Sequence, residues 1–574
     1  MKSIFTKHSR QGLLLALTVL TFFFLLGSRS LNEPDEGRYA EIAREMLETG
    51  DWLVPHLWYL PHLDKPPMTY WLVAVSMKLF GQNEWAVRLP LALAGLGGVG
   101  AAFLLGRSLG GRRVAVWSAL LLQSSLLYFV MARMLTTDIF LTAFNTWAMY
   151  CFWRSWTGSD PANRRTPTAA RFLWPGAGWV FVALGFLTKG PIALAIPVVS
   201  FAALAVFRRP ACPFFSGAGF LAGFALFLIL TAPWFLIVFQ RVPDAAQYMI
   251  LGQAAGHLLG TTIKNRTGSF FYFFGILAFG LVPWTVLLGW LWRKNFWRRL
   301  DGKSKDGWLW LNVWAVFTFA LFSLSHAKLP AYILPIFPAL AVLLAWKFFG
   351  ENPPDAVDQS DAFPAFVWRI CLGSSLLLPA IFPLLARFLF HNTLPGWLNW
   401  QTPLVAAAAA LVWWLARSWS WPTVAALTAG LAVAGFLITA AEIPLFETSL
   451  KANQTLQPLG AALARHFRPG DRVVCWGKFP QGLPFYSGGA ISATNRPFLG
   501  DMDLTQVPFE FPGNRARLGG GYLPDENALA NLLQSPQRVW LAGFGNTVQQ
   551  FEKNHPGVPL HLLLRCGQWE LFSN

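Results

Sequence analysis

The sequence predicts a polytopic α-helical membrane protein that ends in a small C-terminal α/β domain. Three observations carry that expectation. Of the 574 residues, 55% are hydrophobic and only 13% are charged. The chain holds 29 Trp and 50 Phe, far more aromatic surface than a soluble protein needs, and Trp is favoured where apolar and polar media meet. Apolar stretches of roughly the 20 residues that a bilayer demands recur about thirteen times, and they stop near residue 442.

Taken in order, spans are expected near 11–28, 86–106, 113–132, 136–154, 173–187, 190–207, 215–239, 270–292, 307–325, 329–347, 366–389, 403–418 and 423–441. The first follows the basic stretch "MKSIFTKHSR", the outline of a secretory signal. No small-x-small cleavage site precedes "RSLNEPDE", so a retained transmembrane helix is expected. The net charge of +17 raises nucleic acid as a partner, but no nucleic-acid-binding motif accompanies it. The basic residues collect instead in short loops: "RSLGGRR" (107–113), 154–171, "FRRP" (207–210) and "RKNFWRRLDGKSK" (293–305). Such loops face the cytoplasm. The N-terminus is therefore expected in the cytoplasm, and everything after 442 outside. The acidic loop 348–365 departs from the pattern, but acidic residues weigh little in that rule.

The C-terminal part, 443–574, changes character. "DRVVCWGKFPQGLPFYSGG", "QRVWLAGFG" and "LHLLLRCGQWELFS" read as strands separated by turns, and "ENALANLLQ" as a helix. A domain of this size can hold its own core. It carries no catalytic constellation, which points to a structural or docking role. The five cysteines lack metal or disulfide spacing. Cys475 and Cys566, both in this part, could pair if it lies outside the cell.

With this orientation the polar chemistry gathers on the outer membrane face. In "LNEPDEGRYAEIAREMLETGDW" (31–52), Pro34 suits a helix start and Gly50 its end. Tyr39, Ile42, Ala43, Met46 and Leu47 form an apolar stripe, with Glu41, Arg44, Glu45 and Glu48 off it. That predicts an amphipathic helix lying at the membrane interface. Asp35 begins it, and Arg38 and Tyr39 share its face one turn on. Glu36 reads as a charge that complements the helix N-terminus. "LPHLDKPPMTYW" places Asp64 and Lys65 before two prolines that impose an extended or turn backbone; Lys65 could bind phosphate as a point charge or form a surface ion pair. Asp138, at the outer start of a span, could equally be a helix cap. Lys189 lies between two spans, His257, Lys264 and Arg266 precede an aromatic-rich span, and Lys328 and Tyr332 belong to "SHAKLPAYILPIF". Singly each is weak. Together they suit a substrate with a phosphate leaving group on a lipid. A transporter or flippase would also have many spans, but its charges gather near the midplane and its sequence repeats internally; neither is seen.

"DEGRYAEIAREML", "LDKPPMTYWL", "TTDIFLT", "FLTKGP" and "KLPAYILPIFPAL" together resemble the bacterial lipid A aminoarabinose transferases and their relatives. These are GT-C glycosyltransferases distantly related to the protein O-mannosyltransferases. The resemblance covers nearly the whole chain. It implies a GT-C fold of about thirteen spans with an outer C-terminal domain. It implies an undecaprenyl-phosphate-linked donor carrying 4-amino-4-deoxy-L-arabinose or a related amino sugar, and lipid A as the acceptor; the alternative is an enzyme of the same fold acting on protein or on another glycolipid or polysaccharide. Membrane lipids, and no nucleic acid, complete the expected partners, and the bacterial inner membrane is the expected location. At matching positions the resemblance implies catalytic roles for Asp35 and Asp138. It implies substrate binding by Arg38, Tyr39, Lys65, Lys189, His257, Lys264, Arg266, Lys328 and Tyr332. In some relatives the acid-Lys-Pro element and a loop histidine hold a divalent metal, which would make Asp64 and His257 its ligands here. The match departs from the family in two places: Asp64 stands where Glu is usual, and Gly256 replaces the acidic neighbour of His257.

Overall fold

The computed structural model describes residues 7–158, 168–208, 217–255, 268–292, 296, 300–350, 366–376, 403, 407, 410–416, 419–500 and 511–574. They divide into two compact units. The first comprises 1–25, 91–235 and 252–442; the second comprises 26–90, 236–251 and 443–574. The C-terminal part thus shares a unit with residues 26–90, a companionship that residue spacing gives no hint of.

The first unit is helical. Among the described residues five helices are long and apolar enough to cross a membrane: Glu84–Gln123, Gly219–Arg241, Gly302–Leu324, Pro330–Phe349 and Trp421–Ala441. Glu84–Gln123 is interrupted at Gly110 and Gly111, the latter at φ 79, inside the loop predicted at 107–113. The stretch 270–292, expected as one span, is instead two pieces, Tyr272–Gly280 and Thr285–Leu291, bent by 115°. Pro283 lies in the break, where its ring and missing N–H oppose a continuous helix. Counting the bent pair as one span makes six. Much of 366–389 and 403–418 lies outside the described residues.

Helices Asp138–Gly158 and Thr168–Lys189 pack tightly. A Cβ on Gly178 would sit 2.3 Å from Phe152 Cε1, so only glycine permits the approach. Trp153 stacks on Trp310 with ring centroids 5.1 Å apart, and Phe201 lies 5.1 Å from Trp310. Such ring pairs add to simple burial.

The second unit is built on a six-stranded sheet. A small antiparallel hairpin precedes it in the chain, with β1 (His56–Leu57) paired to β2 (Leu60–Pro61). The sheet strands are β3 (Arg472–Trp476), β4 (Phe498–Gly500), β5 (Tyr522–Leu523), β6 (Val539–Phe544), β7 (His561–Cys566) and β8 (Trp569–Ser573), in the order β5-β4-β3-β6-β8-β7. β3, β4, β5 and β6 run parallel, and β8 pairs antiparallel with β6 and β7. The helix read from "ENALANLLQ" is present at Glu526–Leu533, capped by the Asp525 side chain. Val474, Trp476, Leu541, Phe551 and Phe572 form the core. Cys475 and Cys566 lie on β3 and β7, three strand steps apart. At ~4.8 Å per step that is about 14 Å, twice the reach of a disulfide.

Candidate active site

The second unit holds the first of two clusters. Its helix spans Asp35–Thr49 between Pro34 and Gly50, and Gly50 takes φ 72 as its C-cap. The expected exposed polar face is absent. Glu41 and Glu45 are as buried as Ile42 and Ala43, because each carboxyl meets a hydrogen-bond partner. Glu41 holds Arg44 through two hydrogen bonds. Glu45 accepts the backbone N–H groups of Trp58 at 2.5 Å and Tyr59 at 2.8 Å. Those two residues form the hairpin turn at φ 55 and 61, a left-handed conformation that non-glycine residues adopt only when held there.

Glu36 stands in the first turn of the helix, as expected, and is in addition a fully buried carboxylate between two arginines. Arg29 binds it at 2.5 and 2.9 Å, Arg88 at 3.2 and 3.1 Å, and the Asn32 N–H at 3.0 Å. Burial alone would raise its pKa, but the two arginines outweigh burial and hold it below the ordinary carboxylate range. Glu33 goes the other way. Burial pushes it up to about 8, against hydrogen bonding to the Gly482 and Gln481 backbone and the charges of Arg38 and Lys478. Its carboxyl occupies a space that a Cβ on Gly37 or Gly482 would fill, at 2.1 and 2.4 Å.

Asp35, with about a third of its side chain exposed, pairs with Arg38 at 2.5 Å. Arg38 lies 5.5 Å from the ring of Tyr39, which stacks on Tyr70 at 5.5 Å. Asp64 belongs to the same unit. Tyr248 donates to its Oδ1 at 2.6 Å, His62 Nε2 lies 3.6 Å from its Oδ2, and Lys65 donates to its backbone oxygen at 2.9 Å. Burial would raise the pKa of Asp64, but His62, Lys65 and Arg38 together hold it well below the usual range. His62, burdened chiefly by burial, falls to about 4. Tyr70, His62 and Tyr248 were not singled out from sequence, although His62 and Tyr70 lie inside "LPHLDKPPMTYW".

The first unit holds the second cluster. Asp138 opens its helix and Lys189 ends the neighbouring one. Their side chains form a buried ion pair, and the ammonium of Lys189 lies 4.2 Å from the centre of the Tyr332 ring. Lys328 is used differently. Its ammonium donates to the Phe322 and Ser323 carbonyls at 2.8 and 2.7 Å, closing the C-terminus of the helix Gly302–Leu324. His257, Lys264 and Arg266 lie outside the described residues. Among the described residues no three His, Cys, Asp or Glu side chains gather as a metal site, and His257, the other expected ligand, lies outside them.

A family model for dolichyl-phosphate-mannose-protein mannosyltransferases matches residues 64–237. The chain is 35% identical over 343 residues to the undecaprenyl phosphate-alpha-4-amino-4-deoxy-L-arabinose arabinosyl transferase of Edwardsiella ictaluri, spanning 59% of this chain and 60% of that relative's length. It is 30% identical over 475 residues to the transferase of the same name from Pectobacterium carotovorum, spanning 78% of this chain and 79% of the relative. Among solved structures it resembles ArnT from Cupriavidus metallidurans bound to undecaprenyl phosphate, with a TM-score of 0.78 and 24% identity over 99% of this chain and 98% of that one. The fold is therefore the GT-C fold expected from the motifs. The long Pectobacterium alignment carries the closer assignment: this chain belongs to the family of undecaprenyl phosphate-aminoarabinose arabinosyl transferases.

Proposed function

We propose that this protein transfers 4-amino-4-deoxy-L-arabinose from undecaprenyl phosphate to lipid A at the periplasmic face of a bacterial inner membrane. Its N-terminus lies in the cytoplasm and its C-terminal part in the periplasm. The observation that carries the reading is the identity to the Pectobacterium transferase, sustained over 79% of that relative's length.

The chemistry balances without a base. The bond from sugar C1 to the donor phosphate oxygen breaks, and a bond from C1 to a lipid A phosphate oxygen forms. The donor diester becomes a monoester and gains one negative charge; the acceptor monoester becomes a diester and loses one. An acceptor phosphate with a second pKa of about 6 is already mostly ionised at neutral pH, so no proton must move. Asp35 then orients the acceptor or the amino sugar rather than abstracting a proton. Lys65 stabilises the charge that develops on the leaving phosphate, as a preorganised cation does. Asp138 acts as the second carboxylate, offsetting the oxocarbenium character of the transition state.

The test is transfer by the purified full chain, supplied with undecaprenyl phosphate-aminoarabinose and lipid A and read by mass spectrometry. An aminoarabinose-sized addition to lipid A supports the reading. No addition to lipid A, with sugar appearing on protein instead, replaces it with a protein-glycosylating activity of the kind named for the model that matches 64–237.

A further inference from the structure

Asp64 is gripped from outside its own stretch of chain. Tyr248, 184 residues away, donates its hydroxyl to Oδ1 at 2.6 Å. A hydrogen bond from a hydroxyl to an ionised carboxylate is of the strong, charge-assisted kind. Tyr248 is itself buried, and its ring meets Phe511 edge-on with centroids 5.0 Å apart. On the far side of the carboxylate stands His62, 3.6 Å from Oδ2. The chain reaches Tyr248 through Asp244 at φ 66 and then winds as a π-helix over Tyr248–Ala255, a form concentrated at functional sites.

What Asp64 does with this grip is to hold Lys65. Its backbone oxygen accepts the Lys65 ammonium at 2.9 Å, and its carboxylate supplies compensating charge to Lys65 and Arg38. Pro66 and Pro67 restrict the backbone directly after. A turn of the Asp64 carboxylate away from Tyr248 would displace the negative charge that faces the Lys65 ammonium, leaving the backbone oxygen to hold it.

We propose that Tyr248 is a positioning residue for the donor phosphate: it fixes Asp64 and, through Asp64, the ammonium of Lys65. The identity of the phosphate rests on the function proposed above. Tyr248 itself touches no reacting atom. Only its hydroxyl is required, since the ring packing on Phe511 survives in Tyr248→Phe.

A double-mutant cycle tests this. Undecaprenyl phosphate binding to the purified full chain is measured by native mass spectrometry for wild type, Tyr248→Phe, Asp64→Asn and the double variant, with a melting temperature for each. Each single variant should bind about tenfold to a hundredfold more weakly, the range for losing a hydrogen bond to a charged group. Tyr248→Phe should melt close to wild type. The double variant should bind no more weakly than Asp64→Asn, because effects passing through one contact do not add. Unchanged binding by Tyr248→Phe, or losses that multiply in the double variant, would overturn the proposal. So would a wild-type chain that binds no undecaprenyl phosphate. A wild type that binds it but transfers no aminoarabinose to lipid A defeats the proposed function alone, and the cycle still decides the role of Tyr248.

Discussion

The ammonium of Lys189 pairs with the carboxylate of Asp138, 51 residues earlier in the chain, and both side chains are at most 10% exposed. Removing one member of a buried pair strands the other charge, at about 3–5 kcal/mol. Lys189→Met and Asp138→Asn should each lower the melting temperature of the purified protein by several degrees. Combining them should recover part of that loss, because no charge is then stranded, while transfer stays low. A double variant less stable than either single one contradicts the pairing.

Glu36 should confer stability over a defined pH window. Its folded pKa is depressed, so its contribution is fully present above the ordinary value of 4.5 and is lost as pH falls toward the folded value. Melting curves of wild type and Glu36→Gln should therefore differ by a constant amount from pH 5 upward and converge in stronger acid. Curves that coincide at pH 7 would mean that Arg29 and Arg88 need no carboxylate between them.

Glu33 should act with the opposite sign. Its folded pKa is raised to about 8 from 4.5, so the folded chain keeps a proton that the unfolded chain has released. Stability then falls as pH rises between those two values and levels off above the upper one. Glu33→Gln keeps an acceptor for the Gly482 N–H and removes the ionisation. It should flatten the pH dependence of the melting temperature over that window, and an unchanged slope would assign the dependence to another group.

How much of this was legible beforehand varied with range. Local signals worked: Pro34 and Gly50 bracket the helix that they marked, Gly110 and Gly111 interrupt a long helix where a loop was expected, and the strand patterns from 472 onward lie in the sheet. Asp138 and Lys189 stood out as lone charges at span ends, although their pairing did not. The failures were tertiary. Nothing near Glu36 announces Arg88, which is 52 residues away, and nothing near Asp64 announces Tyr248. The stripe of Tyr39, Ile42 and Met46 marks the apolar face of the helix, but periodicity does not report that protein also covers the polar one. Nor does anything near Lys328 announce that its ammonium meets the Phe322 and Ser323 carbonyls, because a side chain that closes a helix end has the same sequence signature as one that binds an anion.

Transfer should depend on pH through the acceptor. If Asp35 is not a general base, the rate with lipid A should fall only as the acceptor phosphate protonates, below a pH of about 6. Asp35→Asn should then lower kcat without moving that limb. A limb that disappears in Asp35→Asn would identify Asp35 as the titrating base.

The most direct measurement is the mass of lipid A from a host that lacks its own aminoarabinose transferase but makes the donor lipid, expressing either wild type or Asp35→Asn at matched membrane levels. The account predicts an aminoarabinose-sized addition with wild type and its loss with Asp35→Asn. Lipid A left unchanged by wild type would contradict the proposed function, and addition undiminished in Asp35→Asn would remove Asp35 from the active site.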